Sequence, residues 1–285
     1  MPEKPTDRLT AGRPPRSSVN TGLIFAICSY GMWGFLPLYF LLLAPTGAFE
    51  IVAWRVLFSL VFCARLILAS RAWRPLAVAM RTPRILWTMG LAGALIYVNW
   101  QTFILGTLSG HVVETALGYF INPIITVLLG VFVLHERLRP AQWAAVLISF
   151  IAVVVLSVGY GRLPWISLIL AFSFGLYGLI KKRVGGRLDA LTGLTLETIW
   201  LAPVAIIQLV AVTMISGLTF GTVSPLHTIA LIGSGVLTAV PLLFFAAASR
   251  RLPLTTMGLV QYLAPVLQFL AGVVILHEPM PLEPK

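Results

Sequence analysis

Nine apolar runs, each about 20 residues long, follow one another along this chain. They cover about residues 21–43, 49–69, 85–107, 112–134, 141–159, 164–182, 190–214, 226–249 and 255–276. A run of this length crosses a hydrocarbon core of roughly 30 Å as an α-helix. Because lipid offers the backbone no hydrogen-bond partner, only helices or closed barrels cross it, and these runs lack the strict alternation of barrel strands. The sequence therefore predicts an all-α integral membrane protein.

The composition excludes a soluble protein. Hydrophobic residues make up 59% of the chain and charged residues 10%, whereas a soluble domain carries about 25% charged residues. The net charge of +11 comes from short basic clusters between the apolar runs, so we expect no nucleic-acid partner. Cys28 and Cys63 lie inside apolar runs, where we interpret both as small apolar residues and not as a disulfide or metal ligands.

The basic residues also predict the orientation of the chain in the membrane. Sixteen of the 20 Lys and Arg residues fall on one side of the predicted spans, and only Arg162 and Lys285 fall on the other. Arg55 and Arg65 lie inside the second run. Because cytoplasmic loops are enriched in Lys and Arg, the amino terminus is predicted to be cytoplasmic. Residues 1–18 are polar, basic and rich in Pro, which is typical of a disordered tail.

Two segments 142 positions apart indicate an internal duplication. Residues 116–136 and 258–278 share eight identical positions. The identities are Leu117/Leu259, Pro123/Pro265, Leu128/Leu270, Gly130/Gly272, Val131/Val273, Leu134/Leu276, His135/His277 and Glu136/Glu278. At the same offset, Arg55 in the second run aligns with Glu197 in the seventh run. The repeat unit therefore holds five runs.

An odd number of spans inverts the second copy relative to the first. We predict two inverted five-helix repeats, residues 19–161 and 162–285, related by a pseudo-two-fold axis in the membrane plane. The second copy lacks a counterpart of the fifth run, so we expect nine helices, with the tenth missing. A binding site in a protein of this design is expected near the membrane midplane, where the two repeats meet.

Polar residues inside the apolar runs either line a pathway or join helices to one another. One face of the fourth run carries four polar residues at helical spacing: Thr115, Tyr119, Asn122 and Thr126. The aligned positions of the ninth run are Met257, Gln261, Ala264 and Gln268. We predict that these two faces meet across the axis and bind the substrate. The alternative is that they only form hydrogen bonds between helices.

Further positions extend this predicted binding surface. Asn99 in the third run aligns with Pro241 in the eighth, and it either lines the cavity or joins two helices. At an offset of 144, Trp33 aligns with Tyr177, and glycines lie close by in both runs. These rings suit stacking on a flat substrate, although helix packing explains them nearly as well.

Three ionisable residues are candidates for proton or charge coupling. Glu114 at the start of the fourth run either binds a cationic substrate, carries a proton, or simply caps the helix. Arg55 and Glu197 lie at symmetry-related depths, which leaves about 10 Å between their backbones along the membrane normal. This separation favours matched gates or a relay. The alternatives are that Arg55 points outward to the interface and that Glu197 bonds a neighbouring helix.

Prolines inside three runs are predicted hinges: Pro123, Pro241 and Pro265. Two His-Glu pairs, His135-Glu136 and His277-Glu278, end the fourth and ninth runs. One His beside one Glu does not hold zinc, which needs at least three protein ligands. We therefore predict no metal site and interpret the pairs as hydrogen-bonded helix ends.

Four segments resemble the RarD group, in the EamA branch of the drug/metabolite transporter superfamily: Gly31–Tyr39, Tyr97–Gln101, Glu114–Pro123 and Ala239–Pro253. The resemblance extends over most of the chain. It implies ten helices in two inverted five-helix repeats, a central cavity, and transport of a small metabolite or drug-like molecule without ATP. It also implies a multi-pass protein of the bacterial plasma (inner) membrane.

We therefore predict a secondary transporter, a permease or exporter, that works by alternating access and uses a proton or substrate gradient. The sequence contains no Walker-type phosphate loop, and we expect no cofactor and no enzymatic activity. The expected partners are a small-molecule substrate and the lipid bilayer, and a homodimer is left open. The alternatives are a non-transporting membrane partner or scaffold, and a membrane-embedded enzyme, for which the four histidines are too scattered.

Overall fold

The computed structural model describes residues 16–160 and 164–270, which form an almost entirely helical bundle. Within these ranges the helices are α1 (Arg16–Phe40), α2 (Ala48–Ser70), α3 (Trp73–Met80), α4 (Pro83–Leu108), α5 (Val112–Leu134), α6 (Pro140–Tyr160), α7 (Trp165–Val184), α8 (Ala190–Ile215), α9 (Pro225–Ser249), α10 (Leu254–Val260) and α11 (Leu263–Leu270). Seven of them are long and apolar enough to cross a membrane: α1 with the 3-10 turn that follows it, α2, α4, α5, α7, α8 and α9. The predicted class of all-α membrane protein is confirmed.

The structure departs from the sequence predictions at three places. Helix α1 begins at Arg16, so the last residues of the predicted disordered segment 1–18 are helical. A short helix, α3, lies between the second and third runs. The ninth run is not one continuous helix, because Gln261 and Tyr262 separate α10 from α11. Pro265 has no N–H for the usual helical bond to the Gln261 carbonyl, which accepts instead from the Ala264 amide at 3.1 Å. The end of this run, with His277-Glu278, lies outside the described residues.

The helices pack mainly against partners that are remote in sequence. Helix α2 contacts α8 and α9, whereas α1 contacts α9 and α11. Helix α4 contacts α7 and α8, and α5 contacts α7 and α10. The large core contains buried residues from α1, α2, α4, α7, α8 and α9. Each of these helices therefore takes its position from tertiary contacts.

Small residues permit the closest of these contacts. A Cβ on Gly235 of α9 would lie 2.4 Å from the carbonyl carbon of Phe58 on α2. Beside it, the Ser59 hydroxyl donates to the Gly235 carbonyl at 3.0 Å. The Ser29 hydroxyl of α1 likewise donates to the Pro241 carbonyl at 2.8 Å. Helix α9 is thus held against α1 and α2 by close backbone approach, as is typical of helices in lipid.

We expect Gly235→Ala to push α9 away from α2 and to destabilise the protein by about 1–3 kcal/mol, as other overpacked interiors are destabilised. The measurement is the thermal unfolding midpoint of the purified protein in detergent. Gly31→Ala on α1 is the matched control, because a Cβ at Gly31 has no atom within 4 Å. Equal midpoints for the two variants would contradict this contact.

Candidate functional site

A cavity of about 640 Å³, counted with the part that opens to solvent, lies between helices from both halves of the chain. Its aromatic wall residues are Tyr30, Trp33, Trp100, Phe103, Tyr119 and Phe174. Its polar and charged wall residues are Arg55, Asn99, Asn122, Gln261 and Gln268. They come from α1, α2, α4, α5, α7 and the segment from α10 to α11. Rings combined with a few convergent polar groups are typical of small-molecule sites.

The wall includes six of the eight residues that the sequence analysis proposed for substrate binding: Trp33, Asn99, Tyr119, Asn122, Gln261 and Gln268. Thr126 and Tyr177 lie elsewhere. The Thr126 hydroxyl on α5 is 3.5 Å from the Gln261 side-chain oxygen. Tyr177 is fully buried, and its ring stacks on Phe245 with centroids 5.7 Å apart. Trp33 also lies beside Phe245, with ring centroids 5.9 Å apart, so the two aromatic mates share a neighbour although only Trp33 lines the cavity.

The polar faces of α5 and of the α10–α11 segment lie against each other at the cavity. A Cβ on Gly258 of α10 would be 3.0 Å from the Pro123 carbonyl of α5, so the two backbones approach closely. The Gln268 amide on α11 donates to the Trp33 carbonyl at 3.1 Å and so links α11 to α1. Three wall elements are therefore joined around one opening.

Asn99 lies on the wall and also joins α4 to α7. Its amide nitrogen donates to the Leu170 carbonyl at 2.9 Å and to the Ser173 hydroxyl at 3.0 Å. The two alternatives from the sequence, cavity lining and a contact between helices, are both present at this residue.

Arg55 is buried at the cavity wall and does not extend outward to an interface. Its side chain is 3% exposed, and its Nε donates to the Thr238 hydroxyl at 2.9 Å. The guanidinium carbon lies 4.9 Å from the ring centroid of Trp100 and 5.4 Å from that of Phe40. These distances allow cation–π contacts on two rings.

Glu197 forms a buried ion pair with Lys181, which is one of the sixteen basic residues on the predicted cytoplasmic side. Lys181 Nζ lies 2.5 Å from a Glu197 carboxylate oxygen, and the side chains are 5% and 1% exposed. The Tyr177 hydroxyl donates to the same carboxylate at 3.2 Å. Because Lys181 follows Tyr177 by four residues, both lie on one face of α7. That spacing was the sequence signal that could have identified the pair.

Glu114 lies away from the cavity wall, at the contact between α5 and α7. Its carboxylate accepts from the Ile166 amide at 2.8 Å, in the first turn of α7. The Ser167 hydroxyl donates to the Glu114 backbone carbonyl. Glu114 thus supplies an acceptor to one of the amide groups that are left unpaired at the start of a neighbouring helix.

The three proposed hinge prolines lie in different settings. Pro123 and Pro241 lie inside the continuous helices α5 and α9. Pro265, alone of the three, follows an interruption of the helix. Although Pro123 and Pro265 align, only the second accompanies a break, and Gln261 of the cavity wall lies at that break.

Two carboxylates outside the cavity act as caps for other segments. Glu136 accepts from the Leu254 and Thr255 amides, each at 2.8 Å, at the start of α10. The hydrogen-bonded helix end expected for this residue is confirmed. Glu50, which the sequence analysis did not identify, accepts from the Thr219 and Phe220 amides at 3.0 Å and anchors the loop between α8 and α9.

Known proteins resemble this chain over most of its length. The model of the EamA-like transporter family matches residues 20–158. Protein RarD from Streptomyces exfoliatus is 47% identical over 92% of this chain and 83% of its own length. An uncharacterised transporter from Vibrio cholerae serotype O1 is 40% identical over 93% of this chain and 87% of its own length. A solved crystal structure has a similar fold, with a TM-score of 0.70, 19% identity and 92% coverage of both chains.

Proposed function

Because this chain belongs to the EamA-like transporter family, and within it to the RarD group, we propose that it carries a small metabolite or drug-like molecule across the bacterial plasma membrane as a secondary transporter. The observation that carries this proposal is the cavity inside a bundle of membrane-crossing helices. Burial of polar side chains in lipid is unfavourable in free energy, and such side chains are typically found where they face a pathway or a partner. Here amides, an arginine and aromatic rings converge on one space, as they do in sites for small molecules.

The helix contacts support two inverted copies of one repeat. If the two proposed copies correspond to each other, then α1 corresponds to α7, α2 to α8, α4 to α9, and α5 to the α10–α11 segment. The α1–α9 contact then becomes the α7–α4 contact, and the α2–α9 contact becomes the α8–α4 contact. The α2–α8 and α5–α10 contacts map onto themselves, as contacts across a two-fold axis do. The cavity adjoins the second of these, where a substrate site is expected in proteins with inverted repeats.

We assign the moving element of alternating access to the α10–α11 segment. Its helix is interrupted beside Gln261, whose side chain lines the cavity. Helix α10 contacts α5 through Gly258, and α11 is tied to Trp33 through Gln268. A change of backbone angle at the interruption would therefore alter the cavity wall and both of these contacts together.

For coupling to a proton or substrate gradient, the pair Lys181–Glu197 is a better candidate than Glu114, whose carboxylate is engaged at a helix end. The Tyr177 hydroxyl bonds Glu197, and the Tyr177 ring lies 6.0 Å from the ring of Phe174, which lines the cavity. A second, smaller space of about 220 Å³, counted with the part that opens to solvent, adjoins Lys181 at the loops after α7 and α9. The basic residues of these loops support placing them, and the amino terminus, in the cytoplasm.

A cysteine on the cavity wall tests alternating access without knowledge of the substrate. Ala264 lines the cavity, and Ala264→Cys is made in a chain that also carries Cys28→Ser. Cys63 remains as an internal control because it is fully buried and away from the wall. We expect a membrane-impermeant maleimide to label the introduced thiol both in intact cells and in inverted vesicles. Labelling from one side only, or from neither, would contradict the proposed mechanism.

A further inference from the structure

Arg55 brings to the cavity wall a positive charge that the described residues do not neutralise. Its Nε is bonded to the Thr238 hydroxyl, which itself donates to the Ser234 carbonyl at 2.7 Å. The ion pair found in residues 16–160 and 164–270 joins Lys181 to Glu197. No carboxylate in these ranges therefore lies within ion-pair distance of the guanidinium.

The rings around Arg55 offset only part of the penalty of burying its charge. The contacts with Trp100 and Phe40 are favourable but weaker than a bond to an anion. A guanidinium has five N–H donors in a planar fork that matches a carboxylate. In the described part of the chain, one of these donors is used, so the group retains capacity for a bidentate ligand.

Two further wall residues carry buried polar atoms that have no hydrogen-bond partner in the described structure. They are the hydroxyl of Tyr30, which is fully buried, and the side-chain oxygen of Asn122, which is 2% exposed. Native proteins leave few buried polar atoms unpaired, and a ligand with a complementary acceptor and donor would pair these two. Tyr30 can donate to that ligand, and Asn122 can accept from it.

The charge and shape of the wall narrow the ligand class. Arg55 is the charged residue among those that line the cavity, and the other polar groups there are amides and phenols. The single positive charge of Arg55 balances a ligand with one negative charge, whereas it would balance only half the charge of a doubly charged phosphate. The six rings of the wall favour a flat apolar body.

We infer that the cavity takes a small aromatic carboxylate. The carboxylate binds the guanidinium of Arg55, the ring lies among the aromatic wall residues, and a hydroxyl or amine of the ligand donates to Asn122. This inference rests on the proposed function, since it names the substrate class of the same cavity.

The test compares 4-hydroxybenzoate with its uncharged analogue 4-hydroxybenzamide, using the purified full chain and isothermal titration calorimetry. We expect the acid to bind at least about tenfold more tightly than the amide, because a charge-assisted bidentate contact is lost in the amide. Arg55→Gln should remove this preference, and Arg55→Lys should retain part of it. Arg65→Gln, which removes an exposed charge from the same helix, should leave the preference unchanged.

Equal affinity for the two compounds, no binding of the acid, or an unchanged preference in Arg55→Gln would overturn the inference. If Arg55→Gln does not fold, the comparison of the two compounds on the unchanged protein still decides. The labelling assay at Ala264 separates this inference from the proposed function. Labelling from both sides that 4-hydroxybenzoate does not slow would refute the substrate class alone, whereas one-sided labelling would refute alternating access.

Discussion

Lys181→Met is expected to lower the thermal unfolding midpoint of the purified protein more than any other single change considered above. The substitution leaves the carboxylate of Glu197 buried at 1% exposure without its cation. Removing one partner of a buried ion pair destabilises a protein by about 3–5 kcal/mol, because the remaining charge is uncompensated. The hydroxyl of Tyr177 remains as a donor, but it carries no charge to balance the carboxylate.

The double variant Lys181→Met/Glu197→Gln is the decisive companion. It removes both charges and retains an acceptor for the Tyr177 hydroxyl, so its midpoint should return close to that of the unchanged protein. A double variant that is no more stable than Lys181→Met would contradict the view that Lys181 compensates the charge of Glu197. If the pair couples transport to a gradient, the double variant should fold normally and yet lose gradient-driven transport.

The second large effect is expected from filling the cavity. Leu36 of α1 lines the cavity, and Leu36→Trp should place an indole in the space that the substrate would occupy. We expect this change to stop labelling of the thiol introduced by Ala264→Cys and to abolish export, measured as metabolites released by cells that overproduce the protein. The physical reason is steric exclusion, so the fold should be retained.

Phe35→Trp is the matched control, since Phe35 precedes Leu36 in the same helix but is 50% exposed and is not one of the residues that line the cavity. Its labelling and export should match those of the unchanged protein. Labelling that is equally fast in both tryptophan variants would show that the thiol reacts by a route other than this cavity.

The spacing of polar residues was sufficient to identify much of the cavity wall. Asn122 and Gln261 were selected because each lies on a polar face of an otherwise apolar run, and both line the cavity. Arg55 and Glu197 were selected because charges inside apolar runs are rare. Such reasoning works where the property of interest belongs to one helix.

The same reasoning failed where the orientation of a side chain or the continuity of a helix depends on contacts with a neighbouring helix. Lys181 lies near the end of an apolar run, beside Lys182 and Arg183. Its spacing from Tyr177 puts both residues on one face of α7, but the sequence does not show that this face is turned toward Glu197. Pro123 and Pro265 occupy aligned positions, but one lies in a continuous helix and the other follows a break. Sequence alone could not separate these outcomes, because the contacts of α5 and of the α10–α11 segment differ.

The amino-acid sequence by itself determined that this chain is an all-helical membrane protein, because transfer into lipid and backbone hydrogen bonding depend on the residues of each segment alone. Only the tertiary structure decided which polar groups meet. The contacts of Arg55 with Thr238 and of Asn99 with Ser173 join residues far apart in the chain. They depend on how each helix is rotated and placed against its neighbours, and that arrangement results from close packing at residues such as Gly235 and Gly258.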